Sequence, residues 1–96
     1  MLILVKKSWY SATMLTLYMR PACSYCERVL REANALGIGF NLKNIANPTH
    51  ANDLIVRGGK QQVPYLVDAD RAVELYESED IARYLHRHYA SDLSAP

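Results

Sequence analysis

The 96-residue chain predicts one α/β domain, a four-stranded mixed sheet flanked by helices in the order β-α-β-α-β-β-α. Three observations carry this prediction. Apolar runs of strand length alternate with longer stretches of helical period, and Gly and Pro stand at the joints. Both cysteines fall in one Cys23-Ser24-Tyr25-Cys26, directly after the first clear strand and at the head of the first helical pattern. Half of the residues are hydrophobic, enough for a single core at this length but not for two. A β-α-β unit joined to a β-β-α unit then gives a mixed sheet with helices on both faces.

Residues 1–13 lack a clean period and form an N-terminal extension: an extra strand, a loose arm or an upstream start. Met14-Leu15-Thr16-Leu17-Tyr18-Met19 reads as a buried strand. The helix after it, Glu27–Leu36, places Cys26, Val29, Leu30, Ala33 and Leu36 on one face, and Gly37 ends it. Phe40-Asn41-Leu42-Lys43 alternates as a short strand. Pro48 opens a second helix over Thr49–Arg57, stopped by Gly58-Gly59. Tyr65-Leu66-Val67 and Val73-Glu74-Leu75 are strands joined by a turn at Asp68–Arg71. The last helix starts near Glu77, sets Ile81, Tyr84, Leu85 and His88 on one side, and runs from an acidic first turn to a basic end, as the helix dipole prefers. The domain therefore spans residues 14–90, with 91–96 as a tail.

A net charge of +1 with mixed signs, and no basic stripe or stacking platform, argues against nucleic acid as a partner. No apolar stretch approaches the length of a membrane span. Met1-Leu2-Ile3-Leu4-Val5 is short and precedes Lys6-Lys7, the reverse of a secretory signal, so a reducing cytoplasm is the expected compartment.

At a helix start, unpaired N–H groups and the positive dipole end favour a thiolate at Cys23 over a thiol. A thiolate is the attacking species in disulfide exchange, and Cys26, three residues on, can resolve the product. Other readings stay open: half of a zinc site, with His50, His86 and His88 as the remaining ligands; a structural disulfide closing a tiny loop; or two inert buried thiols. A C-x-x-C after the first strand of a β-α-β unit favours redox chemistry.

Three segments, in order, resemble known families. Tyr18-Met19-Arg20-Pro21-Ala22-Cys23-Ser24-Tyr25-Cys26 is similar to the strand-to-active-site segment of glutaredoxins. Gln62-Val63-Pro64-Tyr65-Leu66 resembles the segment around a cis-proline shared by glutaredoxins and glutathione transferases. Leu75-Tyr76-Glu77-Ser78-Glu79-Asp80-Ile81-Ala82-Arg83-Tyr84-Leu85 resembles the Glu-Ser-x-x-Ile-x-x-Tyr-Leu stretch of the transferases. Residues 14–90 thus look like a glutaredoxin, and equally like the N-terminal glutathione-binding domain of a transferase, both of thioredoxin-like fold.

The resemblance implies a glutathione-dependent thiol–disulfide oxidoreductase with Cys23 as nucleophile and Cys26 as resolving thiol. It implies glutathione as co-substrate with no metal required, disulfide-containing or glutathionylated proteins as substrates, and a monomer. A cis Val63–Pro64 bond would let the Val63 backbone pair with the peptide backbone of glutathione, as an added strand does. Ser78 and nearby amides would take the γ-glutamyl carboxylate at the helix start, with Glu77 facing the amine; a plain helix cap is the alternative role for Ser78. Arg20 would contact the glycine carboxylate and favour the Cys23 thiolate, Gln62 and Arg57 being further options for that carboxylate, and Tyr25 would pack beside the sulfurs.

The chain also departs from these patterns. Ser24 stands where glutaredoxins often have Pro, and Gln62 where they often have Thr; Tyr76-Glu77-Ser78 replaces their Gly-Gly. A full transferase would continue into a helical domain beyond Pro96. The rival functions are therefore a [2Fe–2S] cluster carrier using Cys23 and glutathione thiols, a glutathione-binding module, and a single-domain transferase-like module.

Overall fold

The alternation of buried side chains along the first strand sets the architecture. Leu15 and Leu17 point to one face and Tyr18 to the other, so both faces of that strand need a covering layer. The structure, a computed structural model, describes residues 15–89. Its elements are β1 (Leu15–Met19), α1 (Ser24–Ala35), β2 (Asn41–Asn44), α2 (Pro48–Gly58), β3 (Tyr65–Asp68), β4 (Val73–Tyr76) and α3 (Ser78–Tyr89). The sheet order is β2-β1-β3-β4, with β1 and β2 parallel and the other two pairs antiparallel. This is the predicted mixed sheet. Residues 1–13 and 91–96, expected as extension and tail, lie outside the described residues.

On one face α1 and α3 cover Leu15, Leu17 and Leu66 with Val29, Ala33, Ile81, Leu85 and Tyr89. On the other, Leu54 of α2 closes over Tyr18, Tyr65 and Val67, with Ile45 beside them. Side chains such as Leu17, Leu66 and Leu85 have no exposure at all, and each such burial contributes about 1.5–3 kcal/mol relative to leaving it in water. Local signals agree with the elements. The Asn47 side chain caps α2 by accepting from the Thr49 amide at 2.9 Å, Pro48 takes a first-turn position that needs no N–H, and Gly59 ends the helix at φ +89°.

Two expectations change. Phe40 precedes β2, which runs on to Asn44; the Phe40 ring packs against the first core instead of joining the ladder. On α3 the buried stripe is Ser78, Ile81, Ala82, Leu85 and Tyr89, and His88 is only half-buried, with its ring 4.4 Å from that of Tyr84. The reason is Asp68, fully buried at the end of β3. It accepts from the hydroxyls of Tyr84 at 2.6 Å and Tyr89 at 2.8 Å, and from the Arg71 amide at 3.3 Å. Those bonds turn both tyrosines toward the sheet. They also tie the β3–β4 turn to the end of α3.

Candidate active site

Strand register assembles the site. Tyr18 of β1 is opposite Tyr65 of β3, and Tyr65 is opposite Tyr76 of β4. β1 and β4 therefore end, and β3 begins, at the same end of the sheet, where Met19, Pro64 and Glu77 come next along their segments. The chain leaves β1 there toward Cys23 and α1, and leaves β4 there into α3. An ion pair from Arg28 to Glu79 at 3.6 Å joins the early turns of the two helices, and Gln62 Nε2 donates to Glu77 Oε2 at 3.4 Å. The sheet therefore brings the three segments that carry the predicted site residues to one end.

Cys23 is the N-cap of α1, with extended backbone at φ −107°, ψ 114°, and its sulfur accepts from the Cys26 amide at 3.3 Å. A serine or aspartate would ordinarily fill this role; here a sulfur does. Burial alone would raise the Cys23 thiol, which is 8% exposed, but it is outweighed. Hydrogen bonds from the Cys26 thiol, from the Cys26 and Tyr25 amides, and the charge of Arg20 hold Cys23 below the ordinary cysteine value. Cys26, 1% exposed, is pushed up to about 12 by burial first and then by its neighbour Cys23. Both cysteines are free. The pair is therefore unequal: the Cys23 thiol is shifted toward the thiolate, and the Cys26 thiol is shifted away from it.

The remaining predicted residues take these places. Arg20 is exposed just after β1, followed by Pro21 and by Ala22, whose φ is +59°. Tyr25 is 66% exposed on the first turn of α1. Val63–Pro64 is a cis bond, with Pro64 buried and Val63 against the α2-side core. Glu77, at φ +74°, holds the cap position of α3, its carbonyl accepting from the Ile81 amide at 2.9 Å. Ser78 is thus the first helical residue, buried, and not the cap. Arg57 pairs with Glu74 at 2.8 Å and with Asp53 at 4.0 Å.

The histidines weighed as zinc ligands are dispersed. His50 meets the Asn44 carbonyl at 3.1 Å, His86 meets Glu32 at 2.7 Å, and His88 lies tilted against the Tyr84 ring. Among the described residues no three His, Cys, Asp or Glu side chains gather as a metal site would need. A groove of about 520 Å³ between α1 and β2, lined by Leu30, Ile38, Phe40 and Leu42, includes none of the predicted site residues. No described helix is long and apolar enough to cross a membrane.

Sequence reasoning misses Ala22. A left-handed alanine has no compositional signature. Asp68 reads as turn chemistry, because an Asp three residues before an Arg is ordinary in a hairpin.

Comparison with known proteins agrees with this geometry. Residues 17–92 match the model of the glutathione S-transferase N-terminal domain. A delta-class glutathione transferase of Nilaparvata lugens is similar at 31% identity and a TM-score of 0.66, over 78% of this chain and 36% of its own. Poplar glutathione transferase F1, as a Ser-to-Cys mutant, is similar at 29% identity and a TM-score of 0.69, over 83% of this chain and 38% of its own. A transferase homologue of Drosophila mojavensis, solved with bound glutathione, shares the fold at 23% identity and a TM-score of 0.68, over 79% of this chain and 35% of its own. The chain thus spans well under half the length of these structures. The comparison with curated proteins gives no match.

Proposed function

The chain belongs to the family of the glutathione S-transferase N-terminal domain, with its thioredoxin-like fold, and we propose that it binds glutathione and performs thiol–disulfide exchange through Cys23. One observation carries the redox reading: a capping sulfur at Cys23 that accepts from the Cys26 amide at 3.3 Å, with a second free thiol, Cys26, buried three residues on. A domain that only holds glutathione needs one stabilising group at the helix start. It does not need two thiols, one lowered and the other raised from the ordinary cysteine value.

Glutathione would lie extended along Val63, its γ-glutamyl end at Glu77 and Ser78 and its glycine carboxylate toward Arg20 and Gln62; Tyr25 would border the sulfur. The Cys23 thiolate attacks the glutathionyl sulfur of a mixed disulfide, forming a Cys23–glutathione disulfide as the substrate thiolate leaves and takes a proton. A second glutathione thiolate then attacks the glutathionyl sulfur, releasing glutathione disulfide and restoring Cys23. With a protein disulfide, Cys26 can displace the substrate after losing its proton, leaving a Cys23–Cys26 disulfide for glutathione to reduce.

Turnover of a glutathionylated peptide by wild type, Cys23→Ser and Cys26→Ser tests this. Cys23→Ser falls to background, whereas Cys26→Ser keeps turnover, since glutathione itself resolves the intermediate. Background turnover in wild type would end the redox reading. The family match favours one second reading, transfer of glutathione to an electrophile; conjugation without disulfide exchange would select it.

A further inference from the structure

We propose that Ala22 is a positioning residue: its left-handed backbone aims the Cys23 sulfur at the start of α1. The proposal rests on Cys23 being the reacting thiolate. It adds how that sulfur is brought to its place.

The chain has few ways to pass from β1 into α1. Met19 ends the strand, and Arg20, because it precedes a proline, is biased to extended backbone. Pro21 has φ fixed near about −65°. Cys23 is itself extended, as an N-cap must be, before helical geometry starts at Ser24. The reversal between strand and helix therefore falls on Ala22, which takes it at φ +59°. A non-glycine residue in this region is sterically penalised, because its Cβ crowds the following carbonyl oxygen. Nothing about the Ala22 side chain offsets that penalty, because it is exposed. What the turn achieves is the placement of the next residue: Cys23 Sγ at 3.3 Å from the Cys26 amide. Residues held in sparsely populated backbone regions cluster where geometry is functional, and this one adjoins the nucleophile.

The molecule holds its own control. Ala72, in the β3–β4 turn, has φ +57° and is also exposed, yet it lies at the opposite end of the sheet from Cys23. Two exposed alanines thus share nearly the same strained backbone, but only Ala22 leads directly into a cysteine. A general effect of left-handed strain acts at both sites, whereas aiming of the sulfur acts at Ala22 alone.

The experiment measures alkylation rate against pH for Cys23 in the full chain, with melting temperature followed in parallel. Glycine and asparagine tolerate the left-handed region; β-branched and bulky residues do not. Ala22→Gly and Ala22→Asn keep the wild-type pH profile. Ala22→Val shifts it upward toward a free cysteine and slows alkylation near neutral pH by about tenfold, the effect of one unit in thiol ionisation. Ala72→Val lowers the melting temperature and leaves the profile where it was. Ala22→Leu, bulky but unbranched at Cβ, serves where Ala22→Val does not fold. An unchanged profile in a folded Ala22→Val or Ala22→Leu overturns the proposal, as does a shift of equal size in Ala72→Val. Loss of folding in both Ala22 variants overturns it too, because the role would then be stability. The readout uses no glutathione, so the proposal and the glutathione reading fail separately: a wild-type Cys23 no more reactive than Cys26 removes the thiolate itself.

Discussion

The Cys26 amide donates to the sulfur of Cys23 from 3.3 Å, while the Cys26 thiol lies buried under the same helix turn. The Cys26 amide therefore supports its neighbour's sulfur, the Cys26 thiol adds to what holds Cys23 below the ordinary cysteine value, and burial suppresses the ionisation of Cys26 itself. Substituting only the side chain removes one donor and leaves the other. Cys26→Ala is expected to raise the pH at which Cys23 alkylates, by less than loss of the whole cap would. Mass-resolved alkylation of wild type near neutral pH should label Cys23 and leave Cys26 unmodified. Equal labelling of the two would contradict the unequal pair.

Arg20 acts on Cys23 through charge and not through a bond, since it is exposed and its effect is coulombic. Arg20→Gln should therefore raise modestly the pH at which Cys23 ionises, and the difference from wild type should shrink as salt rises toward about 1 M, where the screening length falls to about 3 Å. A salt-independent difference would mean that Arg20 holds the loop in shape.

Asp68 makes stability depend on pH. Burial pushes its carboxyl up, but the hydroxyls of Tyr84 and Tyr89, with the amide and charge of Arg71, outweigh it and hold the carboxyl below the usual aspartate range. The folded value lies below the unfolded one of about 3.9, so the stabilisation is present above that pH and lost as pH falls through the folded value. Asp68→Asn should cost about 2–3 kcal/mol at neutral pH, and the gap from wild type should close in acid. Denaturant unfolding across that range measures it; a gap constant with pH would refute the linkage.

Gly58 faces the ring of Tyr76 so closely that an added Cβ would sit 2.8 Å from Cζ. That ring is held by a hydroxyl bond to the Lys60 carbonyl at 2.7 Å and packs on Tyr65 with centroids 4.4 Å apart. Gly58→Ala should destabilise by about 1–3 kcal/mol through overpacking. In a Tyr76→Phe background, without the hydroxyl, the same substitution should cost less. A double-mutant cycle with no coupling would show that the contact is not the cause.

Element order and the cysteine pair were legible because they rest on local signals: strand-length apolar runs, Gly and Pro punctuation, and a C-x-x-C at a strand-to-helix joint. The cis Val63–Pro64 bond came from resemblance, since a proline at a strand start says nothing of its isomer. The illegible features depend on contacts distant in sequence. The buried stripe of α3 includes Tyr89 instead of His88 because Asp68, 21 residues earlier, bonds the Tyr89 hydroxyl. Arg57 reads as a free cation until the fold brings Glu74 to it, 17 residues on. Ala22 owes its backbone to the elements on either side of it, and no side-chain pattern records that.

The two faces of the sheet are unequally fastened, and this has a consequence for motion. α1 and α3 each bury several side chains against the sheet, whereas α2 wholly buries only Leu54 and carries Ile55 and Val56 on its outside. Regions with few buried apolar contacts open at lower free energy than the whole fold. Amide exchange in α2 should therefore outpace exchange in α1 and α3. The helix that opens first is also the one that hands the chain on to Gln62-Val63-Pro64. The Gln62-Val63-Pro64 edge is thus attached to the looser half of the molecule and Cys23 to the tighter half, so that edge is expected to open at lower free energy than the cap around the sulfur.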